Sequence, residues 1–200
     1  MSSTLAPRAM TRRLRRGLAA RAVAVLAALA AALGYRLLRI RDRGALGVPD
    51  GAVPYRTTVF DDTVPGVANL DPPLLAALRR AGAEAARGGV TLYVNSGWRS
   101  PEYQRQLRRE AVAEYGSEAA ASRWVSTPET SAHVDGRAVD IGPPDAAAWL
   151  SEHGAAHGLC RIYANEPWHF ELRPEAIEHG PPPMYANPAE DPRTRVRPAI

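Results

Sequence analysis

Two short segments hold four side chains of the types and spacing that a hydrolytic metal centre needs. Ser131-Ala-His133-Val-Asp-Gly136-Arg-Ala138-Val-Asp140 puts a histidine before a glycine turn and a carboxylate on the strand leaving that turn. Glu166-Pro-Trp168-His169 puts a second histidine at the start of a strand, with a carboxylate three residues upstream. Two neutral imidazoles and one carboxylate, from His133, His169 and Asp140, offer zinc three ligands and leave the fourth tetrahedral position to water, as catalysis requires. Glu166 then suits the role of base, taking a proton from that water and passing it to a leaving amine. Gly136 reads as a backbone position needing positive φ.

Each segment alone has a plainer reading, since a histidine near an aspartate is common and Glu-x-Trp-His also describes a core aromatic with surface neighbours. The combination is more specific. Ser96-Gly97-Trp98-Arg99-Ser100, Ser-x-His-x-x-Gly-x-Ala-x-Asp and Glu-x-Trp-His occur once each, in this order. Together they resemble the zinc D-alanyl-D-alanine carboxypeptidases of the VanY type, from about Asn69 to Leu172. The resemblance implies a hedgehog/DD-peptidase-like fold, zinc on His133, Asp140 and His169, and Glu166 as catalytic base. It also implies the substrate, the terminal D-Ala-D-Ala bond of peptidoglycan stem peptides.

By the same resemblance Arg99 would stabilise the oxyanion or bind the substrate carboxylate, work that suits a planar fork of donors. A surface ion pair is its plainer alternative. Gln104 and Ser131 match motif positions and, by analogy, would hydrogen-bond the substrate or orient its backbone. Trp168 reads either as a pocket wall or as ordinary core. Glu171 falls on the same strand face as His169, either as a partner behind that ligand or as a solvated carboxylate. Related zinc sites accept several peptides, so an endopeptidase or dipeptidase is a second reading. A catalytically silent wall-binding module is a third, and the intact Glu166, Arg99 and ligand set argue against it.

Two other features carry no chemistry. His153 and His157 stand four apart on an expected helix, but Gly154 occupies the place where a His-Glu-x-x-His protease has its glutamate, so both read as ordinary helix histidines. Cys160 sits in an apolar strand and reads as buried and inert. As the chain's single cysteine it excludes an intrachain disulfide and paired-cysteine zinc sites.

The elements that must position the site read as α+β, with helices flanking a central antiparallel sheet. Asp71 as N-cap, Pro72, an apolar Leu74/Leu75/Leu78 face and Gly88-Gly89 mark one helix. Val90, Leu92 and Val94 alternate as a strand ending at Ser96-Gly97. Ser100-Pro101 opens a helix with Tyr103, Leu107, Ala111 and Tyr115 along one stripe, stopped by Gly116; Gln104 points elsewhere. Residues 137–141 read as a strand, and Asp145 caps a helix ending near Gly158. Residues 159–163 and 168–172 read as two further strands. Residues 44–68, rich in Gly, Pro and Val, read as a linker, residues 69–180 as the zinc peptidase domain, and the Pro-rich residues 181–200 as a flexible tail.

The chain's 200 residues suit one domain with appendages, expected to act as a monomer. Residues 1–43 hold ten Arg and one acid, a net +9, whereas residues 44–200 hold fifteen Arg and twenty acids, a net −5. The acidic domain speaks against a nucleic-acid partner. Arg12, Arg13, Arg15 and Arg16 precede an apolar run from Ala22 to Tyr35, the arrangement of an export leader. Six Arg lie before the run and four after it, which directs the domain outward as a single-pass N-terminal anchor. A cleaved signal peptide, leaving a secreted protein, is the alternative. The expected site of action is the extracytoplasmic face of the cell membrane.

Overall fold

The computed structural model describes residues 46–194. The expected leader, residues 1–43, lies outside the described residues, as do residues 195–200. Among the described residues no helix is long and apolar enough to cross a membrane. In chain order they form helices α1 (Pro65–Ala68) and α2 (Pro72–Arg87), strand β1 (Tyr93–Ser96), and helices α3 (Pro101–Tyr115) and α4 (Glu118–Ala121). Strand β2 (Ala138–Gly142), helix α5 (Pro144–His153), strands β3 (Leu159–Arg161) and β4 (His169–Leu172), and helix α6 (Ala176–His179) follow. The strands pair in the order β1-β2-β4-β3, antiparallel throughout, so the chain adopts the expected α+β class.

The core lies between the sheet and α2. Leu74, Ala77, Leu78, Ala81 and Ala85 recur at helical spacing on α2 and are buried with Val94, Val139, Ile141 and Phe170 of the strands. Phe170 is fully buried, which contributes about 1.5–3 kcal/mol. All five residues of β2 are buried, so both faces of that strand are covered. Core fills one face and the candidate site the other.

Local signals set most element ends. Ser100 accepts a hydrogen bond from the Tyr103 N–H at 3.0 Å and caps α3, which Gly116 ends at φ +81°. Asp71 takes the cap position of α2, yet its side chain makes no capping bond. Its N–H donates instead to the Gly136 carbonyl at 2.9 Å, tying the helix start to the turn after His133. Gly136 has φ +70°, and a Cβ there would lie 2.5 Å from the Asn69 carbonyl oxygen, so only glycine fits. Asp145 lies inside the first turn of α5, where its Oδ1 accepts from the Ala146 N–H; Pro143 holds the cap position. On α3 the expected stripe is only partly covered: Ala111 is buried and Tyr115 exposed, while Gln104 is buried. This helix turns its polar residue inward because it packs towards Arg99 rather than towards the apolar core.

Two boundaries differ from the expectation. Residues 46–68 are no linker: Val59 and Val67 belong to the core, and the Ser100 N–H donates to the Asp50 carbonyl and the Trp98 N–H to the Gly66 carbonyl, both at 2.8 Å. Turns can bury valines without any regular period, so composition alone hid this. Residues 181–194 are no free tail either. Tyr185 exchanges backbone hydrogen bonds with Ile162 and Ala164, two single 3-10 turns follow, and Asp191 is fully buried. Proline excludes helix and central strand, but Tyr185, Asn187 and Asp191 between the prolines supply anchoring contacts.

Candidate functional site

Sheet register brings the two sequence segments together. Asp140 of β2 stands opposite His169 of β4, and Ala138 opposite Glu171. Side chains alternate along a strand, so Asp140, His169 and Glu171 share one face while Val139, Ile141 and Phe170 turn to the core. On the other side of β2, Ser96 pairs with Asp140, extending the row to a third strand. His133 joins from a loop closed by the Arg137 N–H on the Ala132 carbonyl (2.7 Å) and the Val134 N–H on the Ser131 carbonyl (3.1 Å). Its Nδ1 lies 2.8 Å from the Gly97 carbonyl, which accepts the ring N–H and leaves Nε2 as the bare nitrogen.

Three donor atoms now face one another. His133 Nε2 and His169 Nδ1 are 3.3 Å apart, His169 Nδ1 and Asp140 Oδ1 3.2 Å, and His133 Nε2 and Asp140 Oδ1 3.5 Å. Ligands about 2.0–2.1 Å from a tetrahedral ion stand about 3.3–3.4 Å from each other. This triangle therefore fits one face of a zinc tetrahedron without rearrangement. Behind it, His169 Nε2 lies 3.4 Å from Glu171 Oε1, so a carboxylate backs this imidazole as a carbonyl backs the other.

Glu166-Pro-Trp-His is a reverse turn, closed by the His169 N–H on the Glu166 carbonyl at 3.1 Å, with proline second where its φ is already set. The turn carries the Glu166 carboxylate back beside the His169 ring, Oε2 to Nδ1 3.7 Å, too far for a hydrogen bond. Glu166 is buried, and its Oε1 has no protein partner. A buried carboxylate oxygen that no protein group satisfies, beside the donor triangle, is placed to hydrogen-bond a water held there.

The electrostatics agree. Burial, against the pull of the His169 cation, pushes Glu166 up to about 7. Burial also lowers His133, with Arg99 adding to the effect. For His169 burial opposes the charge, but hydrogen bonds to Asp140 and Glu171 win and raise it to about 10. Asp140 is held well below the ordinary carboxyl range because its two histidines and Arg99 outweigh burial. Glu171 is likewise held down, burial being overcome by His169, Arg193 and Arg173.

Arg99 is anchored at three points: Nε to Ser96 Oγ (2.7 Å), Nη1 to Gln104 Oε1 (3.0 Å) and Nη2 to Asp140 Oδ2 (3.0 Å). It is no surface ion pair, since both side chains are largely buried. Gln104, expected against substrate, lies in the floor of the site with both amide ends engaged, its Nε2 donating to the Ser126 carbonyl at 2.8 Å. Replacing Gln104 with leucine leaves that carbonyl and an arginine N–H without partners. Denaturant unfolding is expected to show a loss of about 1–3 kcal/mol. Ser131 is buried, its carbonyl closing the His133 turn, and Trp168 is half-buried beside His169.

Among the described residues, His133, Asp140 and His169 form the one cluster able to hold a metal. His153 stacks on Trp149, His157 pairs with Glu84 at 2.9 Å, and Cys160 is buried and free. Ser96, Tyr163 and Arg193 were not assigned from sequence. Ser96 lay inside the Ser-Gly-Trp-Arg-Ser block, where its pairing with Arg99 could have been suspected. Tyr163 and Arg193 offered no local signal.

Comparison with known proteins bears on the same segment. The VanY family model, described as D-alanyl-D-alanine carboxypeptidase, matches residues 68–175. A D-alanyl-D-alanine carboxypeptidase of Enterococcus faecalis (strain ATCC 700802 / V583) is 35% identical over 113 residues, covering 44% of this chain and 42% of the relative. The chain thus spans less than half the length of that curated relative. The structure of VanYB in complex with D-alanine-D-alanine aligns with TM-score 0.51 and 28% identity over 56% of this chain and 78% of that one. A mutant of the vancomycin-resistance D,D-pentapeptidase VanY in complex with Zn(II) aligns with TM-score 0.49 and 32% identity, over 52% and 72% of the two chains. The family match takes in the donor triangle, the turn at Glu166 and the anchored Arg99, and it extends over more than half of the 200 residues; the chain belongs to the VanY family of D-alanyl-D-alanine carboxypeptidases.

Proposed function

We propose that this protein is a zinc metallopeptidase that removes the terminal D-Ala from peptidoglycan stem peptides. The observation that carries this reading is the donor triangle of His133, Asp140 and His169 with the unpartnered Glu166 Oε1 at its edge. Two nitrogens and one carboxylate oxygen suit zinc, and three protein ligands leave the open position of a catalytic rather than a structural site. Family membership and the D-alanine-D-alanine complex of the VanYB relative support the substrate.

Each residue's part follows from its placement. Zinc on these ligands supplies Lewis acidity towards water and the scissile carbonyl. Glu166, the buried carboxylate beside the triangle that binds none of its donors, accepts the proton of the attacking water and returns it to the D-Ala amine as the C–N bond breaks. Arg99, held rigid by Ser96 and Gln104, keeps a cation at the site's edge for the developing oxyanion or the substrate carboxylate. Glu171 and the Gly97 carbonyl fix the tilt and tautomer of the two imidazoles. Trp168 supplies an apolar side wall. The protein works as a monomer at the extracytoplasmic face of the membrane. Residues 1–43 tether it there, as their arginine flanks and apolar run support.

The test is D-Ala release by the zinc-loaded full chain from a peptide ending in D-Ala-D-Ala. Turnover abolished by a chelator and restored by zinc is expected. Cleavage only at an internal bond would reassign the enzyme as an endopeptidase, and chelator-insensitive turnover would remove the metal from the reaction.

A further inference from the structure

The segment after α6 lies beyond the family match at residue 175, yet it reaches the back of a candidate zinc ligand. Arg193 Nη1 donates to Glu171 Oε2 at 2.7 Å and its Nη2 approaches Glu171 Oε1 at 3.3 Å. Glu171 in turn faces His169 Nε2. Arg193 is itself held by the fully buried Asp191, whose Oδ1 and Oδ2 each stand 3.0 Å from Arg193 Nε. A second route runs from the same aspartate: Tyr163 donates its hydroxyl to Asp191 Oδ2 at 2.9 Å, and its ring lies 4.9 Å from the His169 ring. The segment is pinned by Tyr185, which bonds to Ile162 and Ala164 on either side of Tyr163, and by Thr194, whose hydroxyl donates to the Pro188 and Asp191 carbonyls.

We infer that residues 185–194 form a clamp in which Arg193 and Asp191 act as positioning residues, orienting His169 through Glu171 and Tyr163 for metal binding. The physical reason is orientation at a distance. An imidazole on a strand can rotate about χ2, and a fixed acceptor behind Nε2 helps hold Nδ1 towards the other two ligands. Glu171 has two oxygens and could swing. Arg173 grips one of them, Oε2, at 2.5 Å, whereas Arg193 reaches both and so fixes the plane of the carboxylate. A cleft of about 280 Å³ borders Glu171, Arg173 and Arg193, which leaves room for the carboxylate to turn once Arg193 is gone.

This inference rests on the zinc reading above, and the test separates the two. Zinc affinity of the full chain is measured by competition with a chromophoric chelator, and the cobalt-substituted protein's absorption bands report ligand geometry without any turnover. Arg193→Ala is expected to weaken zinc binding about 10- to 100-fold and to broaden the cobalt bands, with Arg193→Lys restoring part of the affinity. Arg193→Met, which keeps the packed stem, decides the matter if the alanine variant folds poorly. Parent-like zinc affinity and cobalt spectrum in a folded Arg193→Ala or Arg193→Met protein would overturn the clamp while leaving the zinc site standing. Failure of the parent protein itself to bind zinc would overturn both.

Discussion

A Glu166→Ala protein is expected to keep the parent's zinc affinity and to release D-Ala about 10²–10⁴-fold more slowly. The first half follows from distance: Glu166 Oε2 stands 3.7 Å from His169 Nδ1 and takes no part in the donor triangle. The second follows from its isolation, since no other carboxylate at the site is free to accept a proton. Asp140 is spent on the two histidines and Arg99, and Glu171 on His169 and two arginines. Stability offers an independent check. A carboxyl raised to about 7 in the fold costs the metal-free protein stability as pH climbs from the ordinary carboxyl range, and that cost is complete above about pH 7. Alanine removes that cost, so the metal-free variant should gain stability relative to the parent as pH rises from the ordinary carboxyl range through 7. Zinc content by elemental analysis and D-Ala release in parallel decide the assignment. Lost zinc would make Glu166 a ligand, and retained turnover would make another group the base.

What could be read from sequence was what is local. His133 before Gly136, and Glu166 with His169 across Pro167, are each confined to a single turn, where residue types dictate the geometry and short spacing preserves it. Helix ends at Ser100 and Gly116 were legible for the same reason. The arrangement of the site is not local. Nothing in either segment states that Asp140 stands opposite His169, because strand register is settled by the whole sheet and by which face must be buried. The partners of Gln104 were hidden for the same reason: its bonds to Arg99 and to the Ser126 carbonyl join separate segments, and no local pattern announces them. The clamp was hidden more thoroughly. Prolines between residues 181 and 192 remove regular structure, and what remains, an aspartate, a tyrosine and an arginine, gains meaning only against Glu171.

The second large effect expected is at His169. Replacing it with alanine removes one of three donors, and zinc affinity should fall by more than the ~10- to 100-fold typical of losing a residue that merely supports a ligand, with turnover at background. The pH dependence makes the claim specific. In the metal-free fold this imidazole is raised to about 10 by Asp140 and Glu171 despite its burial. Its folded value thus lies above the unfolded one, near 6.5. The cation therefore adds stability in full below about pH 6.5, and that stability drains away as pH rises towards 10. Metal-free His169→Ala should accordingly be most destabilised at acid pH, where Asp140 and Glu171 lose their shared cation, and should approach the parent in alkaline buffer. Zinc must evict that proton to reach Nδ1, so binding to the parent at pH 7 should release at least one proton and tighten as pH rises. Titration calorimetry in two buffers of different ionisation enthalpy counts the proton directly. Zinc binding to the parent with no proton released, together with parent-like affinity in His169→Ala, would place the metal somewhere other than this triangle.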